Sequence, residues 1–166
     1  PMSNMVYLLC SLPSLNFAQV PPISQDEFYH DAEKQLSSKH FSMLERVDLR
    51  QMDSDEHGKL KDFAQLYQDL LGDMTELRTA KTEKRPVRLA HLPKSLADGN
   101  PLEREKQIMR WQWDRLDDLE AGNTFSLVNV LVYKLRLQIL DRLQSMEPER
   151  GSQVFESVIN DAKTKG

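Results

Sequence analysis

Disulfide chemistry is closed to this sequence: of 166 residues one is a cysteine, Cys10, so no internal bridge can form and a reducing compartment is the simplest setting. Glycine is sparse, and its six residues stand singly, so no glycine-rich loop is present to cradle a phosphate. An excess of positive charge is missing too. Lys and Arg number 22 against 26 Asp and Glu, a net charge of −4, which argues against a surface built to collect nucleic-acid phosphates. No hydrophobic run is long enough for a membrane. The opening stretch "PMSNMVYLLCSLP" lacks Lys and Arg, and Pro13 closes it far short of the roughly 20 residues a span requires. It reads as core with Cys10 inside it, not as a signal peptide, and Pro1 ahead of Met2 reads as a cloning scar.

What is present is amphipathic helix. With 39% hydrophobic residues the chain suits a single all-helical domain over 2–166. In "ISQDEF", Ser24 can cap a helix and Glu27 stands three residues on, with Ile23 and Phe28 at the flanking staple positions. A helix from about 24 to 36 follows, its stripe carried by Phe28, Ala32 and Leu36. Ser37 or Ser38 then caps a second, shorter helix with Phe41, Leu44 and Val47 inward, and the two form a helical hairpin. Leu60, Phe63, Tyr67, Leu70, Met74 and Leu77 follow the alternating three-and-four spacing of a coiled-coil seam. So short a seam implies an antiparallel partner inside a bundle.

Residues 81–100 carry Pro86, Pro93 and Gly99 without sustained periodicity and read as a linker. Lys81, Lys84, Arg85, Arg88 and Lys94 make it locally basic, a solvated loop or a face for an acidic partner. Asn100, Pro101 and Glu103 restart the helix, which Gly122 and Asn123 end. On its wheel Leu102, Met109, Trp113 and Leu116 share one face, and Trp111 falls about 200° from Trp113.

A final long helix is predicted after Thr124 as cap. Val128, Leu131, Val132, Leu135, Ile139, Leu143 and Met146 form one stripe, and Val130, Tyr133, Leu137 and Leu140 form another nearly opposite. A helix apolar on two sides must be covered on two sides. Lys134, Arg136, Asp141 and Arg142 fall on the seams, where long stems can lie on apolar surface with their charges in water. Pro148 opens a last helix bearing Val154, Phe155, Val158 and Ile159. The expected fold is therefore all-α, a bundle of six or seven helices built from helical hairpins around this central two-faced helix.

Chemical motifs fail on inspection. Asp53, Asp55 and Gly58 begin like a calcium loop, but the twelfth position, which needs a bidentate Glu, holds Ala64, and His57 replaces an oxygen ligand. The acids there are better placed to start a helix at its positive end. Glu27 and His30 make one Glu-x-x-His unit where helical di-iron sites need two. His40 and His91 lack ligand-spaced companions, and Cys10 has no base at readable spacing. The expectation is no catalytic, cofactor or metal residue, although an enzyme with a dispersed site stands as a third reading. The external contacts expected are Trp111, an aromatic off its helix's main stripe for which a second core layer is the alternative, and the basic Lys84, Arg85 and Arg88.

Two segments are similar to a known family. "YLLCSLPSLNFAQVPPISQDEFYHDAEKQLS", residues 7–37, resembles the amino-terminal signature of an uncharacterised bacterial family, and "RWQWDRLDDLEAGNTFSLVNVLVYKLRLQILDRLQSMEPERG", residues 110–151, resembles its carboxy-terminal segment. Genes of that family accompany those of bacterial vacuolar/archaeal-type ATPases, and its members resemble the C (eukaryotic d) subunit. That subunit is a helical funnel joining the rotating shaft to the membrane rotor ring. The resemblance rests on packing and capping residues, covers under half the chain, and the middle is short for the family. It implies a non-catalytic stalk or coupling subunit in the cytoplasm, peripheral to the inner face of the plasma membrane through protein contacts with shaft and ring. A helical adaptor or regulator unrelated to ATPases is the alternative.

Overall fold

A computed structural model describes residues 4–146 and contains, among them, six α-helices and no strand. They are α1 (Asn4–Ser11), α2 (Gln25–Gln35), α3 (Ser38–Arg46), α4 (Lys61–Glu83), α5 (Pro101–Glu120) and α6 (Leu127–Ser145), with 3-10 turns at Gly58–Leu60 and Lys94–Asp98. The helix expected beyond Pro148 lies outside the described residues.

Local chemistry sets most of the helix starts. The Ser24 hydroxyl accepts the Glu27 N–H at 3.0 Å, Ser37 accepts from His40 at 3.2 Å, and the Asn100 side chain accepts from Glu103 at 2.9 Å. At α6 the expected cap is wrong. Thr124 is exposed and Phe125 turns left-handed at φ 51°, so the helix starts later, where the Asn129 Oδ1 receives both the Ser126 N–H (2.9 Å) and its hydroxyl (3.0 Å). The acids at 53–57 likewise do not open a helix. Asp53 folds onto the Asp55 N–H at 3.0 Å as a turn, and α4 begins only at Lys61.

The centre of the molecule is α6. It pairs most extensively with α5 and also packs against α1, α2 and α3, so both of its apolar stripes are covered. Leu131, Val132, Leu135 and Ile139 on one side and Val130, Leu137 and Leu140 on the other are each no more than 1% exposed. Tyr133 joins its stripe to the amino-terminal half, with its ring 5.2 Å from that of Phe28 and its hydroxyl donating to the Pro13 carbonyl at 2.6 Å. Arg136 lies over Trp113 of α5 and pairs with Asp117 and with Glu120 (3.0 Å).

The buried side chains form two clusters. The main one draws on α1 to α6, and a satellite gathers Leu77, Leu92, Leu96 and Ile108 between α4, α5 and the segment joining them. Three expectations are corrected by this packing. Cys10 is exposed, because Leu8 is the α1 residue that faces inward. Leu102 is 42% exposed, since the apolar face of α5 starts a turn and a half later at Ile108 and Met109. Lys134 is only 2% exposed, its ammonium donating to the Leu44 carbonyl at the end of α3 (2.8 Å) instead of reaching water.

Candidate functional site

The basic segment 81–100 is not a solvated loop. Helix α4 continues through Glu83 and ends on Lys84, which takes the left-handed conformation usual for a helix-ending glycine (φ 55°) while its N–H satisfies the last turn. The chain then runs back along α4 as a strap, held by carboxylates spaced four and three residues apart, Asp69, Asp73 and Glu76. Asp73 is 3% exposed and receives three successive amides, Ala90 at 2.9 Å, His91 at 2.8 Å and Leu92 at 2.7 Å. Glu76 receives Arg85 in a two-pronged pair (2.7 and 2.9 Å) and the Arg88 amide at 2.8 Å. Asp69 takes Arg115 from α5 at 3.2 Å and faces the His91 ring at 3.5 Å.

Electrostatics follow from these contacts. Burial pushes the Asp73 carboxyl up, but the amides of Leu92, Ala90 and His91, helped by the His91 ring, together hold it below the ordinary aspartate value. The Arg85 guanidinium, then the Arg88 amide, lower Glu76 to about 2. Arg85 in turn is raised by Glu76 and Glu83. Each carboxylate of the clasp is already occupied by the chain's own donors. The open cleft of about 690 Å³ above it therefore presents a folded-back backbone and not reactive acids.

Of the residues expected to meet partners, Lys84, Arg85 and Arg88 do lie together on the strap, but their availability differs. Lys84 and Arg88 are exposed, while the charge of Arg85 is engaged by Glu76 and Glu83. Trp111 does not join them at the surface. It is half-buried on α5, packs against both the main and the satellite cluster, and carries Arg115 over its ring at 5.3 Å. The sequence reading missed Asp69, Asp73 and Glu76, whose one-face spacing opposite a basic segment was the available signal.

A second concavity, about 760 Å³, runs along α5 between α4 and α6. Its floor is apolar, with Leu70 and Met74 from α4, Ile108 and Met109 from α5, and Ile139 from α6. Gln138 on its wall is fixed, accepting the Leu49 N–H at 3.0 Å and donating to Asp48 at 3.1 Å. Gln25 is fixed in the same way by Asp141. Among the described residues no group of three His, Cys, Asp or Glu side chains could hold a metal ion, and none of the helices is long and apolar enough to cross a membrane.

Comparison with known proteins assigns residues 82–165 to a family model described as a protein of unknown function, DUF2764. The match spans half of the chain. The chain belongs to the DUF2764 family. Within the described residues the DUF2764 match takes in the strap, α5 and α6, and with them the two-faced helix, while α1 to α3 and nearly all of α4 precede it. The carboxy-terminal segment 110–151 that carries the resemblance to an ATPase-associated family falls inside the match, and residues 7–37 fall outside. No curated protein and no solved structure matches the chain.

Proposed function

We propose that this DUF2764 protein is a non-catalytic stalk or coupling subunit, similar to the C (d) subunit of a bacterial vacuolar/archaeal-type ATPase, placed between the rotating shaft and the membrane rotor ring. The observation that carries the reading is α6, covered along both faces by α5 and by α1 to α3. An element that transmits torque or holds a spacing must resist bending, and close packing on both sides of a central helix supplies that stiffness without any reactive group. The similarity of residues 7–37 and 110–151 to the ATPase-associated family supplies the partners. The protein would sit in the cytoplasm at the inner face of the plasma membrane, held there by protein contacts, and serve ion transport mechanically.

Purification of the tagged chain from a bacterium carrying such an ATPase is the test. Shaft or ring subunits should accompany it in stoichiometric amount. Recovery of the chain without either would sink this reading in favour of a helical adaptor unrelated to ATPases, which the apolar groove along α5 favours.

A further inference from the structure

We infer that the strap is a latch: residues 87–99 open as one unit between Lys84 and Asn100 while the main core stays folded, and uncover an apolar face shared by α4 and α5. This goes beyond the coupling role above and does not depend on it.

The latch closes over a core of its own. Leu92 and Leu96 of the strap cluster with Leu77 of α4 and Ile108 of α5, and all four are buried. Among the described residues none from 68 to 108 contributes to the main cluster, and Trp111 alone belongs to both. Lifting Leu92 and Leu96 therefore takes no side chain out of the main core. A cluster that shares so little with its neighbour can open without global unfolding.

The main chain of the strap is tied down by side chains only. Among the described residues, the hydrogen bonds that join the backbone of 87–99 to the helices go to Glu76, Asp73 and Arg104. The two carboxylates of α4 accept the amides of Arg88 and of 90–92. On α5 the Arg104 guanidinium donates to the carbonyls of Leu96 (3.2 Å), Ala97 (3.4 Å) and Gly99 (3.5 Å). One half is clamped by acids and the other by a cation, and no helix loses a backbone bond when these clamps part.

The flanking helices are finished without the strap. The Lys84 N–H and the Arg85 N–H, which donates to the Ala80 carbonyl at 3.0 Å, satisfy the last turn of α4, and Asn100 caps α5. Helix α4 also keeps its own anchors. Phe63, Ala64 and Leu66 lie in the main cluster, and Asp69 pairs with Arg115 of α5 at 3.2 Å. Opening thus leaves both helices in place and bares Leu70, Met74 and Leu77 of α4 beside Ile108 and Trp111 of α5.

The test reads opening through buried thiols placed one at a time in the full-length chain carrying Cys10→Ser. Relative to the unfolded chain, Leu92→Cys, Leu96→Cys and Ile108→Cys should react with a fluorogenic maleimide at rates within about threefold of one another, and at least about a hundredfold faster than Leu135→Cys in the main core. Breaking one clamp should be felt at the other. Asp73→Asn should speed labelling at Leu96→Cys, and Arg104→Met at Leu92→Cys, each by about tenfold, with Leu135→Cys unchanged. In the chain without substitutions, hydrogen exchange of the Leu92 and Leu96 amides should share one urea dependence, weaker than that of the α6 amides. Labelling at the three satellite positions as slow as at Leu135→Cys, or exchange that merges with that of α6, would make the strap part of the core and overturn the latch. Acceleration confined to the half whose clamp was removed overturns it too, by showing two local frays in place of one unit.

Discussion

Lys134 sets its ammonium inside the molecule, where it caps the end of α3 through Leu44 and lies 5.2 Å above the Tyr29 ring. Burial lowers it to about 8, against the raising influence of Asp48 and Glu45. Because the folded value lies below the ordinary 10.5, the unfolded chain holds this proton more tightly between pH 8 and 10.5. Its charge thus weighs on the fold below pH 8, and stability should rise as pH passes from 8 toward 10, a relief on the order of 3 kcal/mol if complete. Tyr29 and Tyr133 act in the opposite sense higher up. Burial raises both to about 12, so their stabilisation is intact below pH 10 and disappears between 10 and 12. Urea titrations at pH 7.5 and 9.5 should show the wild type gaining stability at the higher pH and Lys134→Met gaining much less. Parallel gains in the two proteins would assign the effect elsewhere.

At the scale of elements, α6 and the strap make separate predictions. Leu135 and Leu137 lie on opposite stripes and are 1% and 0% exposed. Leu135→Asp and Leu137→Asp should each cost about 4 kcal/mol or more and abolish cooperative melting, because each buries an unpaired charge. On a helix covered along one face only, one of the two would be tolerated. The strap depends on Asp73, whose removal in Asp73→Ala leaves the amides of Ala90, His91 and Leu92 without their acceptor. Hydrogen exchange at those three amides should quicken by about tenfold or more while α6 amides are unchanged. Since the folded Asp73 value is depressed, acid should weaken the strap in the wild type only as pH falls below the ordinary aspartate range.

For the whole molecule, Trp111 is the joint between the main and the satellite cluster. Trp111→Ala should lower global stability by about 3 kcal/mol, and exchange should accelerate first around Leu92 and Leu96, which the satellite holds. A variant of unchanged stability that loses ATPase subunits on purification would instead assign Trp111 to the partner surface. The DUF2764 match takes in Leu92, Leu96 and Ile108 of the satellite cluster together with the central helix, while Leu77, which completes that cluster from α4, precedes it.

The helices themselves were determined locally. Ser24, Ser37 and Asn100 cap where they stand because a side-chain oxygen three residues ahead of a free amide needs no distant partner. The double stripe of α6 was equally readable, since helical periodicity alone places Leu135 and Leu137 on opposite sides. Tertiary structure decided the rest. Whether the basic segment floats or folds back depended on carboxylates of α4 up to 19 residues away in sequence. The burial of Lys134 depended on the end of α3, 90 residues off. The groove along α5 is lined by residues brought together from α4, α5 and α6, distant parts of the sequence. A periodic pattern records which residues avoid water, but the neighbours that cover them, and the gaps those neighbours leave, are set by packing between distant parts of the chain.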